Sequence, residues 1–238
     1  MNTEQNARVA LITGATGGLG PAVVKAFAAE GARLALSSRS QGELETLVHE
    51  SGLQPDNVLL LPVNALDSDA VGASVKAAEE RFGRLDVVVH VTGGFAMAPI
   101  TETTMGSWEL MIGLNLSAAF FVARAVLPGM LQRGSGKLIF VSSRSASRIE
   151  ANVVAYAASK GGLETMVRDL AEEVRGKGVN VNAVSPSVID TPANRKAMPG
   201  ADYAAWVTPE SIADVISFLA SGAARDVHGA IIPIYGRA

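Results

Sequence analysis

Seven short apolar runs punctuate the chain: RVALIT (8–13), RLALS (33–37), NVLLLPV (57–63), DVVVHV (86–91), KLIFVS (137–142), VNVNAVS (179–185) and AIIPI (230–234). Helix-length segments separate them, and this alternation constrains the fold more than any other feature. The runs are rich in β-branched residues and lack strict polar alternation, the pattern of strands covered on both faces by crossover helices. The prediction is an α/β fold, a doubly wound parallel sheet of about seven strands flanked by helices. Helix punctuation agrees. The apolar spacing of GLGPAVVKAFAAEGA stops at Gly31, and SDAVGASVKAAEERFG stops at Gly83 after a charged last turn. With no internal repeat and no Gly/Ser- or Pro-rich linker, the alternation is expected to run through a single domain, residues 1–238.

Charge and residue usage narrow the function classes. Twenty basic and 23 acidic residues give a formal charge of −3 with no long block of either sign, so a nucleic-acid partner is not expected. There are no cysteines, and the three histidines (His49, His90, His228) lie far apart, which leaves no ligand spacing and no expected metal site. The opening MNTEQNARVALITG lacks a basic n-region and a long apolar h-region, and no apolar run is expected to reach the ~20 residues of a membrane span. A cytoplasmic location without membrane attachment is the default expectation.

Between the first strand and the first helix stands TGATGGLG (13–20). Small residues there let a backbone approach a pyrophosphate, and the following helix offers unpaired N–H groups at its positive end. Gly14, Thr16, Gly17, Gly18, Leu19 and Gly20 are therefore candidate contacts for a dinucleotide on a Rossmann-type domain. The spacing departs from the strict six-residue fingerprint, and the same residues also suit an ordinary tight turn. After the second strand the chain reads SSRS. A carboxylate near this point would bond an adenosine ribose and repel a 2′-phosphate, whereas Ser38 and Arg39 suit a 2′-phosphate held by a charge-assisted fork. NADP(H) is the preferred cofactor on this reading and NAD(H) the second possibility; a solvated surface arginine is the plain alternative.

YAASK (156–160) places a phenol and an ammonium four residues apart, on one face if the segment is helical. Together with TGATGGLG, Asn115 in MIGLNLSAAFF, VSS (141–143), SPSVIDT (185–191) and VTPESIADVISFLAS (207–221), it resembles the short-chain dehydrogenase/reductase family over nearly the whole chain. The resemblance implies hydride transfer from NADPH to a ketone or aldehyde carbon, reversible with an alcohol. Tyr156 would be the general acid, Lys160 its electrostatic tuner and ribose holder, Ser143 the residue that fixes the substrate carbonyl, and Asn115 the holder of a relay water. Ser142 is the neighbouring competitor for the serine role. A phenol titrates near pH ~10, and the Lys160 ammonium together with the positive nicotinamide of the oxidised cofactor is expected to lower that value.

The resemblance further implies cofactor contacts at Asn64, Ala65, Gly93, Tyr156, Lys160, Pro186, Ile189 and Thr191, and a homotetramer packed through the helices that carry Asn115 and Tyr156. The sequence departs from the family pattern at three places. His90, Val91 and Thr92 precede Gly93 where Asn-Asn-Ala is common, Ser187 follows Pro186 where Gly is usual, and Asn64 replaces an aspartate. His90 reads as a packing or hydrogen-bonding residue.

Residues 191–208 form a short loop at the family's substrate-covering position. Met198, Tyr203 and Trp206 supply apolar surface there, Asn194 and Arg195 supply donors, and Phe95, Met97 and Ile149 suit an opposite wall. Phe95, Met198 and Trp206, with Ser143, are the candidate contacts for a small-molecule carbonyl or alcohol; ordinary packing of the loop is an equal reading. The loop is also similar to that of quinonoid dihydropteridine reductase, which keeps pterin reduction as an alternative. A nucleotide-sensing protein without turnover is the third reading.

Overall fold

A computed structural model describes residues 7–148 and 150–237. All seven predicted strands are present: β1 (Val9–Thr13), β2 (Arg33–Ser38), β3 (Val58–Pro62), β4 (Val87–His90), β5 (Gly136–Val141), β6 (Val179–Pro186) and β7 (Ile231–Ile234). They form one parallel sheet in the order β3-β2-β1-β4-β5-β6-β7. The helices are α1 (Gly20–Ala29), α2 (Gln41–Glu50), α3 (Ser68–Phe82), α4 (Met105–Ile112), α5 (Ala118–Arg133), α6 (Val154–Glu173), α7 (Pro192–Ala197) and α8 (Pro209–Ala220).

Strand alternation explains why the runs read as continuously apolar. Leu11, Val88, Leu138 and Phe140 face a core shared with α3, α5 and α6, while Ala10, Ile12, Val89 and Ile139 face a core shared with α1, α2 and α8. Both faces are dry, so neither needs polar residues. Gly83, at φ +82°, closes α3 in the left-handed conformation anticipated from the sequence.

The strand order reverses at β1, which pairs with β2 on one side and β4 on the other. In register, Thr13 lies beside Ser37 and beside His90. A crevice opens beyond the carboxyl ends of the strands at such a switch point, where open α/β sheets bind ligands.

One expectation needs correction. Helix α4, a π turn at Gly113–Ser117 and α5 run on as one 29-residue helix, Met105–Arg133, long and apolar enough to cross a membrane, with an 18-residue stretch of mean hydropathy 1.9. Its apolar character has a packing reason here. Ala119, Val122, Ala123, Val126, Leu127 and Met130 are buried against the sheet and α3.

Candidate active site

The crevice begins at the glycine turn. Gly14 takes φ +67°, and a Cβ there would stand 2.7 Å from the Thr92 backbone nitrogen, so β1 and the segment after β4 approach more closely than a side chain permits. A cavity of about 480 Å³ follows, bordered by Gly14, Thr16, Gly17, Gly18, Leu19, Ser38, Arg39, Asn64, Ala65, Gly93, Ile189 and Thr191. Gly20 is not on its lining; it is buried as the first residue of α1. Most of the predicted cofactor residues are thus brought together at one cleft.

Sequence reasoning missed Glu43, which borders the same cavity. Ser40-Gln41-Gly42-Glu43 reads as a capping box, and the Ser40 hydroxyl does accept the Glu43 N–H at 3.3 Å. The carboxylate is diverted, however. Thr16 Oγ1 donates to Glu43 Oε2 at 3.0 Å, and since that hydroxyl has one proton, Ser38 must be the donor in its 2.7 Å contact with Thr16. Arg39 is exposed beside this chain, so the ribose end of the cleft presents one cation and one anion.

At the other end three consecutive residues of the β5 exit meet three turns of α6. Lys160 Nζ donates to the Val141 carbonyl at 2.7 Å, Ser142 Oγ donates to Glu164 Oε1 at 2.9 Å, and Ser143 hydrogen-bonds the Tyr156 phenol. Tyr156, Lys160 and Glu164 follow at intervals of four on one helix face. Of the two competing serines, Ser142 faces the buried Glu164 and Ser143 faces the phenol. Arg168 Nη2 completes the Glu164 carboxylate at 3.2 Å.

Asn115 sits fully buried in the π turn, a local geometry often found at functional positions. Its amide exchanges two 3.0 Å hydrogen bonds with Gly94, accepting from the N–H and donating to the carbonyl, and Nδ2 also donates to Ser159 Oγ at 3.0 Å. Ser159 in turn donates to the Tyr156 carbonyl at 2.7 Å. A Cβ at Gly93 would lie 2.7 Å from Asn115 Oδ1 and 3.3 Å from Lys160 Nζ, so this glycine admits both groups.

Burial dominates the chain's own electrostatics at this end of the cleft. Burial pushes the Tyr156 phenol above the ordinary tyrosine value; the Ser143 hydrogen bond pulls it back, and the Glu150 carboxylate adds to the rise. Burial also draws Lys160 down to about 8. Desolvation opposes the charged form of both groups. His90 is likewise held neutral, at about 3, by burial and then by the nearby Lys160 charge. Its Nδ1 contacts Thr13 Oγ1 at 2.9 Å, a side-chain link between the ends of β1 and β4.

A second cavity of about 880 Å³ holds Ser143, Tyr156, Lys160, Asn115 and Pro186, and shares Gly93, Val91, Val141, Ile189 and Asn194 with the first. The two are one continuous cleft. Phe95 meets Tyr156 edge to face at 4.9 Å, and Met97 and Met198 border the same space. Trp206 is elsewhere: it packs on Tyr203 with ring centroids 4.8 Å apart and is not among the lining residues. Ile149 lies outside the described residues. Arg144 and Glu150, which sequence reading passed over, form a charged edge 3.7 Å apart.

Comparison with known proteins agrees with this geometry. Residues 8–202 match the family described as short chain dehydrogenase. The chain is 34% identical to a D-threitol dehydrogenase of Mycolicibacterium smegmatis, over 96% of this chain and 92% of that protein. It is 31% identical to an uncharacterized oxidoreductase of Staphylococcus aureus, over 83% of this chain and 87% of that one. A crystal structure of a short chain dehydrogenase/reductase family oxidoreductase from Burkholderia thailandensis superimposes with a TM-score of 0.86 at 31% identity, covering 97% of this chain and 92% of that one. The chain belongs to the short-chain dehydrogenase/reductase family of oxidoreductases.

Proposed function

From that membership we propose that this protein is a carbonyl reductase that prefers NADPH, with Tyr156 as proton donor. The single observation that carries the reading is the meeting of Ser143, Tyr156 and Lys160 in a cleft continuous with the glycine turn. The cleft's lining suits a nicotinamide dinucleotide, the cofactor type of this family: the glycine turn stands at the start of α1, and a side chain at Gly14, Gly18 or Gly93 would strike Thr92, Thr191 or Asn115 and disturb the wall of the cleft. Thr16, Ser38, Arg39, Asn64 and Ala65 would hold the adenosine end, and Lys160, Pro186, Ile189 and Thr191 the nicotinamide end. The reduced nicotinamide supplies the hydride.

The chain's own residues do the rest. Ser143 fixes the carbonyl oxygen by a hydrogen bond, and Tyr156 Oη gives that oxygen its proton as negative charge develops on it. A phenol raised by burial stays protonated at neutral pH, which suits donation. Alcohol oxidation needs the phenolate and is favoured at higher pH. Lys160 keeps one N–H on Val141 and has two left for the ribose. Asn115 is positioned to hold a water behind Lys160, with its amide oriented by Gly94 and Ser159.

NADPH preference rests on Arg39 and the absence of a carboxylate directly after β2, with Glu43 acting against it. A homotetramer is the expected assembly, supported by the exposed Leu110 and Phe120 on the long helix; a monomer by light scattering would remove it. The function is tested by initial rates of NADPH and NADH oxidation with aliphatic and aromatic ketones, an acetoacetyl thioester and quinonoid dihydropterin. Ketone turnover with NADPH favoured is expected. Turnover of the pterin alone would transfer the assignment to the 191–208 loop, and cofactor binding without any turnover would make the protein a nucleotide sensor.

A further inference from the structure

The substrate side of the cleft is more selective than its size suggests. Lys160, Ser142 and Ser143 aside, its polar side chains are already engaged with the protein. Ser145 Oγ donates to Glu150 Oε2 at 3.0 Å, Ser187 Oγ to the Tyr235 carbonyl at 2.8 Å, and Asn194 Nδ2 to the Ile189 carbonyl at 2.8 Å. Arg144 is held toward Glu150 at 3.7 Å and lies over the Tyr235 ring at 5.9 Å. Of the two nearest alternatives to Ser143, Ser142 gives its proton to Glu164 and Lys160 gives one of its protons to Val141. The hydroxyl protons of Ser142, Ser145 and Ser187 are therefore committed, and Arg144 and Glu150 at the edge oppose each other in charge.

What the wall offers instead is apolar. Phe95 and Met97 are 63% and 61% exposed and Met198 is 39% exposed, although all three border a cavity of about 880 Å³. Phe95 stands against the phenol itself. Large apolar side chains kept in water beside a reacting group gain free energy when a ligand covers them.

We propose that the substrate is a neutral carbonyl compound whose remaining groups are bulky and apolar, and that Phe95, Met97 and Met198 select it. The inference rests on the carbonyl-reductase reading and deepens it. It also separates this chain from its 34% identical relative, the D-threitol dehydrogenase, because a polyol would need hydrogen-bond partners for several hydroxyl groups beyond the reacting one. A hydroxyl that enters such a wall loses its water contacts and finds the protons of Ser142, Ser145 and Ser187 already given to the protein.

The test is a kcat/KM series with NADPH as fixed cofactor: butanone, propiophenone and the four-carbon polyhydroxy ketone erythrulose, repeated on Phe95→Ala and Phe95→Leu. Propiophenone should exceed erythrulose by on the order of 100-fold, the scale on which pocket contacts discriminate. Phe95→Ala should shrink the propiophenone-to-butanone ratio about tenfold, mainly through KM, and Phe95→Leu should restore much of it. Erythrulose turned over as well as propiophenone, or a ratio unmoved by Phe95→Ala, would overturn the inference and leave the reductase reading standing. No turnover of any of the three ketones would remove both.

Discussion

The two ends of the cleft are built from different materials. At the catalytic end Asn115, Ser142, Ser143 and Lys160 are buried, and each is tied to a named partner on a neighbouring element. At the ribose end Arg39, Glu43 and Asn64 are exposed, and the charges of Arg39 and Glu43 oppose each other in their effect on a phosphate. Buried polar groups are costly to leave unpaired, so the catalytic end has essentially one arrangement. Exposed charges are screened and their net effect is small, so the ribose end can change preference with one substitution. On the proposed reading, the groups that set the reaction are therefore held rigidly by the fold, and those that set cofactor choice only loosely.

Substitutions at the two ends should differ accordingly. Ser143→Ala removes a donor aimed at the carbonyl oxygen and should lower kcat for ketone reduction by ~10²–10³; a loss confined to KM would show that the hydroxyl only binds. Glu164→Ala leaves Ser142 and Arg168 without their acceptor and should lower both Tm and kcat, the latter by about tenfold, through the Ser142–Ser143 turn. Glu164→Gln keeps an acceptor for Ser142 and should recover most of kcat. If the two variants behave alike, the staple between β5 and α6 does not position Ser143.

At the ribose end the effects should be smaller and of opposite sign. Arg39→Ala should raise the KM for NADPH over that for NADH by on the order of tenfold, and Glu43→Gln should move the ratio a few-fold the other way. Equal shifts for both cofactors would detach Arg39 from the 2′-phosphate. The mildest effect is in pH. Lys160 is drawn down to about 8, so it loses its charge as pH rises through that value, and kcat/KM for NADPH should decline there. Lys160→Arg, charged throughout, should flatten that limb of the profile while lowering activity overall.

The sequence displayed the fold almost completely, because a sheet covered on both faces by helices writes itself as seven mainly apolar runs. Asn115, Ser143, Tyr156 and Lys160 were legible as a group, and the structure brings all four to one cavity. Three things were not. Glu43 was hidden inside a capping box whose carboxylate turned to Thr16 instead of its own helix start. Glu164 looked like any helix glutamate until its register four residues past Lys160 brought it to Ser142. The rise in the Tyr156 pKa depends on how much water the fold removes, and residue spacing carries no measure of desolvation. Trp206 shows the same limit for shape, since an aromatic in a substrate-covering loop can spend its face on its neighbour Tyr203.

The most direct measurement is a single turnover of Tyr156→Phe beside the wild type, each loaded with NADPH and mixed with the ketone that the wild type reduces best, read at the nicotinamide absorbance. The expected result is a hydride-transfer rate ~10²–10⁴ lower in the variant, with NADPH binding largely kept. A variant that oxidises NADPH at nearly the wild-type rate would contradict the assignment of Tyr156 as proton donor, and with it the account of the catalytic end.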